Sequence, residues 1–439
     1  MEISRAKKVM KYVLPTILSQ CAFFLFTIID GIFVGHGVGT DALGAVNLSM
    51  PFIMIISAAF MLTTIGGVTI TAIRIGRKDF EGANNAFMHA LLCTLVFSAF
   101  FTIAGTFFRR PLAALLGANG VYADMVSEYL LWYSVFTIPS AFAAALQGFG
   151  RNDGAPVFVM VSTIVSTLLN IFLDWLFVFP LKMGIGGAAI ATGLSQTVSF
   201  VIISSHFVRK RGALRIEKFS FNKQLMFKVL KRGFPEMLSQ LTTPITIFCM
   251  NLVIAKYIGN NGINAYSIVG YIISFAFAVF IGVSEGMQPL FGQSYGDKNA
   301  DDLRYYRKSG LLWGLCGSII VYILIIITGK AICQMFGADS AATEMAIIAI
   351  PKYGWSFLFG AMNTIISAYL YSTKRTKEAV IVNVLRGFIF TPLCVIVLSW
   401  LSSGGIIWSA VGIAEAITFV SATAIMKHSE KGGIKFDKN

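Results

Sequence analysis

Asp30, Asn170, Asp174 and Thr192 bring together two carboxylates, an amide and a hydroxyl. Asn170 and Asp174 are four residues apart, so they share one face of a helix, and Ser166 extends that face by a turn. Such oxygens are hard ligands, suited to Na⁺. Two adjoining carboxylates that cannot both stay ionised are equally suited to sharing a proton. Both acids lie in strongly apolar runs, "FTIIDGIFVG" and "TLLNIFLDWLF". A carboxylate is costly in such surroundings, which makes it a functional candidate. The competing expectation is that each acid only bonds to polar neighbours on adjacent helices.

Other groups invite the same question. Glu285, in "GVSEGMQPLFGQSYG", reads as a second site for a proton or a cationic substrate, or as a polar packing residue. Glu415 and Arg386 are expected to form a structural ion pair. Pro15, with Pro235 at the matching point of the second half, removes a helical hydrogen bond and is read as a hinge or as a static kink. Six scattered Cys and four His show no ligand spacing, so no metal site or disulfide framework is expected.

The elements that must position these groups follow from composition. Of 439 residues, 56% are hydrophobic and only 13% are charged, with a mean hydropathy of +0.75. A soluble chain carries about 25% charged residues. Apolar runs of about 20 residues, long enough to cross a bilayer, lie near 12–35, 49–73, 86–108, 128–148, 156–180 and 184–208. A second set lies near 236–258, 265–293, 309–328, 345–371, 379–400 and 404–426. Hydrocarbon leaves the backbone no partner but itself, so these are helices. The fold class is all-α polytopic membrane protein with twelve transmembrane helices. The first run is read as a retained signal-anchor.

Charge sets the orientation. Of 35 Lys and Arg, 29 fall on one side, counting Arg386 within span 11; Arg109, Arg110, Lys182, Lys256, Lys330 and Lys352 fall on the other. The basic side is cytoplasmic, which places both termini inside. The net charge of +14 is therefore a topology signal with some attraction to anionic lipid, and nucleic acid is not an expected partner. Segment 209–235 holds nine basic residues and reads as a cytoplasmic linker. It is expected either to carry an amphipathic surface helix near 222–232 or to be a solvated connection.

The halves repeat at an offset of 220 residues. "LPTILSQ" (14–20) faces "FPEMLSQ" (234–240), Gly66 faces Gly286, and "IGRKD" (75–79) faces "YGDKN" (295–299). Beyond 115–118 the sequence register drifts. Six spans per half make a parallel repeat, related by a pseudo-two-fold axis along the membrane normal. The expected divisions are an N-lobe (1–208), a linker (209–235) and a C-lobe (236–439). Asp30 faces Met250, and span 11 has no counterpart of Asp174, so the acids break the symmetry of the scaffold. A binding cleft of aromatics, Met and polar groups has Phe23, Phe24, Tyr133, Gln147, Asn251, Met287 and Gln288 as candidates.

Enzyme signatures are missing: no HExxH, GxSxG or GxxxxGK[ST] occurs, and no soluble stretch is long enough for a nucleotide-binding domain. An enzyme is not expected, and the energy source is expected to be an ion gradient.

With "LPTILSQ", "IIDGIFVGHGVGTDALGA", "NIFLDWLFVFPLKMGIGGAAIAT" and "EGMQPLFGQSYGDKN", the chain resembles the multidrug and toxic compound extrusion (MATE) transporters over essentially its whole length. The last segment is similar to that of the bacterial MepA-type branch. The resemblance implies a secondary antiporter of the plasma membrane that exports amphipathic or cationic organic compounds in exchange for H⁺ or Na⁺, acting as a monomer without a cofactor. It implies a cation-coupling site at Asp30, Asn170, Asp174 and Thr192, and a bend of span 1 at Pro15. Span 7 has no acid in its membrane core, which departs from branches that place one there. The same superfamily allows an alternative, a lipid-linked precursor flippase, which would need a cationic cavity.

Overall fold

In the computed structural model, which describes residues 2–335, 340–431 and 436, helices account for nearly all of the chain, and no strand occurs among the described residues. The first half runs α1 (Glu2–Gly37), α2 (Thr40–Gly76), α3 (Phe80–Phe107), α4 (Arg109–Leu115), α5 (Val121–Val135), α6 (Thr137–Asn152), α7 (Pro156–Val178) and α8 (Gly184–Val208). The second runs α9 (Lys223–Tyr257), α10 (Asn260–Gly296), α11 (Ala300–Met335), α12 (Ser340–Gly354), α13 (Ser356–Ser372) and α14 (Thr376–Val384). A π-helical segment (Leu385–Phe390), α15 (Thr391–Leu393), a second π-helical segment (Cys394–Leu398), α16 (Ser399–Leu401) and α17 (Ile407–Ser429) complete it.

Ten of these helices, α14 through α16 counting as one, are long and apolar enough to cross a membrane. Two further crossings are bent pairs: Val121–Val135 with Thr137–Asn152 at 51°, and Thr343–Gly354 with Ser356–Ser372 at 43°. They are spans 4 and 10, the same place in each half. The short α4 was not legible as an element in the sequence.

The repeat is more regular in the backbone than in the sequence. Turns that need a left-handed residue recur at the same offset: Gly39 and Gly259 (φ 120° and 83°), Lys78 and Lys298 (61° and 57°), Gly154 and Lys374 (86° and 62°), and Gly184 and Gly404 (63° and 89°). The last two pairs flank spans 5 and 11. After span 5 the register shifts: the left-handed Lys182 and Ser403 are 221 apart, and α8 and α17 begin 223 apart. At Gly39 and Gly259 glycine is the natural choice, since it adopts these angles without steric cost.

Contacts divide the chain into two compact units, Leu18–Met237, and Met1–Ile17 together with Leu238–Asn439. This corrects the expected lobes. The start of α1 belongs with the second half, and the linker and the start of α9 belong with the first. Two glycines of the repeat show why. A Cβ on Gly66 of α2 would stand 2.0 Å from the carbonyl oxygen of Val229, and one on Gly286 of α10 would stand 2.8 Å from Cα of Val13. Each glycine lets a helix start lie directly on another backbone. Arg5 adds an ion pair with Asp302 at 2.5 Å and a contact over the ring of Tyr305.

Segment 222–232 is not a separate surface helix; from Lys223 it forms the first turns of the continuous α9. The linker ahead of it is tied down. Asp153 accepts from His206 Nε2 (2.9 Å) and from the backbone N–H groups of Ala213 (2.7 Å) and Leu214 (3.1 Å). Asn84 Oδ1 accepts from the N–H of Arg215. His89, given no role from sequence, is buried beside Phe219 and Phe221. Its Nδ1 donates to the carbonyl of Asn85 (2.7 Å), and its Nε2 accepts from the N–H of Asn222 (2.8 Å).

At the end of α17, Glu430 accepts from Arg307 (2.6 Å), Tyr369 (2.6 Å) and Arg375 (3.1 Å). Burial pushes its carboxyl up, but these hydrogen bonds and the two guanidinium charges outweigh it and hold the group below the usual carboxylate value.

Candidate functional site: a buried acid pair

Three helices of the unit Leu18–Met237 build the site. Asp30 comes from α1, Asn170 and Asp174 from α7, and Thr192 from α8. Helices α7 and α8 pack closely because α8 opens with small residues, "GIGGAAIA". Polar groups tie them together: Ser166 Oγ donates to the carbonyl of Ser195 (2.8 Å), and Ser162 Oγ lies 2.9 Å from Ser199 Oγ. Asn170 Nδ2 points across the same seam to Thr192 Oγ1 at 3.4 Å.

Asn170 and Asp174 are fully buried. The Asp30 carboxyl adjoins that of Asp174, and the Asn170 side chain reaches the Asp174 carboxyl as well. Both carboxylate oxygens of Asp174, Oδ1 of Asp30 and Oδ1 of Asn170 are buried without a hydrogen-bond partner among the described residues. Leaving an acceptor buried and unpaired costs about 1–3 kcal/mol, more when it is charged. Four such oxygens in one place fit a site that holds a proton or a small hard cation. Bonding to polar helix neighbours is seen at Ser166 and Ser195, and Asn170, one turn before Asp174, adjoins it.

Tyr129 of α5 also lies in the electrostatic reach of both acids, and its ring stacks on that of Tyr133 at 6.2 Å. Sequence reading singled out Tyr133 and missed Tyr129. The signal was available in "YLLWY", where the two tyrosines are four apart and share a helix face.

The remaining candidates are dispersed. Phe23 is exposed and forms edge contacts with Phe24 and Phe26. Gln147 donates to Ser199 Oγ (3.0 Å). Asn251 is exposed on α9. Met287 is fully enclosed, its chain against Gly310, and Gln288 is buried and donates to the Tyr371 hydroxyl (2.7 Å). Glu285 is buried on α10, in the other unit from the acid pair. Pro15 lies inside the continuous α1, two residues before the boundary between the units.

The expected pairing of Arg386 with Glu415 is present. Arg386 Nε donates to both oxygens of Glu415, at 2.9 and 3.0 Å, and both residues are buried. A cavity of about 970 Å³ lies elsewhere, between the start of α3 and the linker, with Arg74, Asp79, Glu81, Arg215, Glu217 and Lys218 in its wall. Its wall carries both signs of charge and includes none of the candidate residues.

The family model described as MatE matches residues 15–176 and 235–401, once in each half of the repeat. The chain belongs to the MATE family. Members of this family of multidrug efflux transporters are not enzymes, and the chain is a multi-pass membrane protein. Among similar curated proteins is the multidrug export protein MepA of Staphylococcus saprophyticus, 25% identical over 96% of this chain and 93% of its own length. MepA of Staphylococcus haemolyticus is 24% identical over the whole of this chain and 96% of its own. A solved outward-facing multidrug resistance MATE transporter of the MOP superfamily superposes with a TM-score of 0.91 at 23% identity, over 96% of this chain and 97% of that one. A MOP superfamily transporter from Pyrococcus furiosus, for which a binding pocket of reversed polarity is reported, matches with a TM-score of 0.91 and 23% identity, over 97% of this chain and 95% of that one. These likenesses carry the fold.

Proposed function

We propose that this MATE protein is a secondary antiporter that exports amphipathic, often cationic, organic compounds in exchange for inward H⁺ or Na⁺. The observation that carries the reading is the group of buried, unpartnered oxygens on Asp30, Asn170 and Asp174. A proton or Na⁺ supplies what those oxygens lack. The names of the staphylococcal relatives, multidrug export proteins, support the cargo class.

Coupling requires that the cation bind one conformation of the transporter more tightly than another. The acid pair joins α1 to α7, so an added cation draws the outer part of α1 towards α7, and its loss releases it. Alternating access then follows from a shift between conformations, with Pro15 in the helix that must respond. The basic side is cytoplasmic in this reading, with both termini inside. A lipid-linked precursor flippase has less support. A pyrophosphate needs free cations in the membrane, and Arg386, the main candidate, is spent on Glu415.

The test is ethidium export from cells and from proteoliposomes, with pH and Na⁺ gradients imposed separately. Efflux driven by one gradient names the ion. Asp30→Asn and Asp174→Asn should each cut gradient-driven efflux by roughly tenfold or more, in the range expected of a coupling free energy. Undiminished gradient-driven efflux in both variants would sink the coupling role.

A further inference from the structure

The second unit contains a cation of its own. The turns at Gly154 and Lys374 set the 220-residue register at the start of spans 5 and 11. In that register Ser166 corresponds to Arg386, and since α17 begins 223 residues after α8, Glu415 corresponds to Thr192. Ser166 and Arg386 each tie their span to the helix that follows. Ser166 bonds to the carbonyl of Ser195 between α7 and α8, and Arg386 bonds to Glu415 between the π-helical segment Leu385–Phe390 and α17. A neutral tie in one unit is an ion pair in the other. The acid pair itself has no such echo, since Asp30 corresponds to Met250 and the positions of span 11 that could face Asp174, Cys394 and Val395, carry no acid.

The surroundings of Arg386 are those of a cation site. Oxygens converge on its guanidinium: both of Glu415, Oγ1 of Thr364 (3.2 Å) and the carbonyl of Gly360 (3.5 Å). Asn363 Nδ2 donates to Glu415 Oε2 (2.7 Å), while Asn363 Oδ1 is buried in the same cluster with no partner among the described residues. A carboxylate, an amide oxygen, a hydroxyl and a carbonyl are the donor types that hold small hard cations. The guanidinium sits near the middle of span 11, where a charge must be neutralised. The helix departs from α geometry there, and Thr391 Oγ1 donates to the carbonyl of Arg386 (2.7 Å). Such π-helical turns concentrate at functional sites.

We propose that Arg386 is a tethered counter-ion. It fills an oxygen cage in the second unit that would otherwise take up a proton or Na⁺, and it thereby silences Glu415 as a second exchange site. The consequence for transport, one coupling site per chain instead of two, rests on the antiport reading. The cage itself does not, and it is tested without transport.

Purified Arg386→Met protein should bind about one more cation per molecule than the Arg386→Met/Glu415→Gln double variant. The readouts are equilibrium binding of radiolabelled Na⁺ and the infrared absorption of a newly protonated carboxylic acid at Glu415. Arg386→Gln, which keeps hydrogen-bond donors in the cage, serves where the methionine variant does not fold. Equal cation content, with no acid band lost in the double variant, would overturn the proposal. A wild-type protein that binds no cation would sink the role of Asp30 and Asp174, yet would leave the difference between the two variants readable.

Discussion

A methyl group added at Gly66 should cost far more than the same methyl at most helical positions. Its Cβ would lie 2.0 Å from the carbonyl oxygen of Val229 and 2.9 Å from the amide nitrogen of Gly233. Carbon and carbonyl oxygen rest at about 3.3 Å or more, so the start of α9 must shift by about 1.3 Å. Both obstacles are backbone, which cannot rotate away as a side chain can. Overpacking of a filled interior costs about 1–3 kcal/mol and sometimes more, and Gly66→Ala belongs at or above the top of that range. The repeat supplies an internal comparison. At Gly286 the nearest atom is Cα of Val13 at 2.8 Å, a shortfall of about 0.7 Å from ordinary carbon contact, so Gly286→Ala should cost about 1–2 kcal/mol. Gly270, on α10, has nothing within 4 Å of its Cβ position, and Gly270→Ala should stabilise by about 0.5 kcal/mol through helix propensity alone. The protein carries its own reporters, because Cys93, Cys249, Cys333 and Cys394 are buried free thiols. A thiol-reactive fluorophore, followed during heating in detergent, should rank the melting temperatures as Gly270→Ala, wild type, Gly286→Ala, Gly66→Ala from highest to lowest. A Gly66→Ala protein that melts with the wild type would refute the close backbone approach.

Two further predictions concern the aqueous side. Glu430 is held below its usual value, so its contribution to stability is present above about pH 4.3 and is lost as pH falls through its folded value. Melting curves should therefore show an acid-side loss in the wild type that is smaller in Glu430→Gln, which should itself be less stable near neutral pH; parallel pH profiles would contradict the assignment. His89→Phe keeps the ring among Phe219 and Phe221 but loses hydrogen bonds to Asn85 and Asn222, worth about 1–2 kcal/mol together. Trypsin should then cut faster between Arg209 and Lys218, in inside-out vesicles and not in right-side-out ones; unchanged rates would remove His89 as the anchor, and cutting from the other side would reverse the orientation.

Most of the fold was legible because a bilayer leaves a chain few options. Span number, helical state and the repeat all follow from apolar runs and recurring motifs. What escaped was set by contacts between distant segments. The starts of α1 and α9 look like ordinary helix entrances, and only the approach of Gly66 to Val229 and of Gly286 to Val13 reveals where they pack. The strap formed by 209–222 was invisible because its ties use backbone N–H groups, to Asp153, Asn84 and His89, and leave no trace in residue type. The acid pair was legible because intramembrane carboxylates are rare and the i, i+4 spacing fixes a face. Tyr129 was not, since an aromatic in a membrane span has many reasons to be there. The pairing of Arg386 with Glu415 could be guessed from charge, but the correspondence of Arg386 with Ser166 needed the turns of the backbone.

The exchange of helix starts bears on how such a chain is made. Residues 1–17 are made before the helices they pack with, since Val13 lies against Gly286 of α10 and Arg5 against Asp302 of α11. The unit Leu18–Met237 can close only once Met237 has been made, and the other only after α17 has followed. Neither half of the gene encodes a self-sufficient piece. If the repeat arose by duplication, the ancestral product was one half-length chain, and two copies of it would have had to trade their first helical turns to complete each other. Fusing the copies then made that reciprocal trade permanent, and turned a matter of concentration into one of covalent connection.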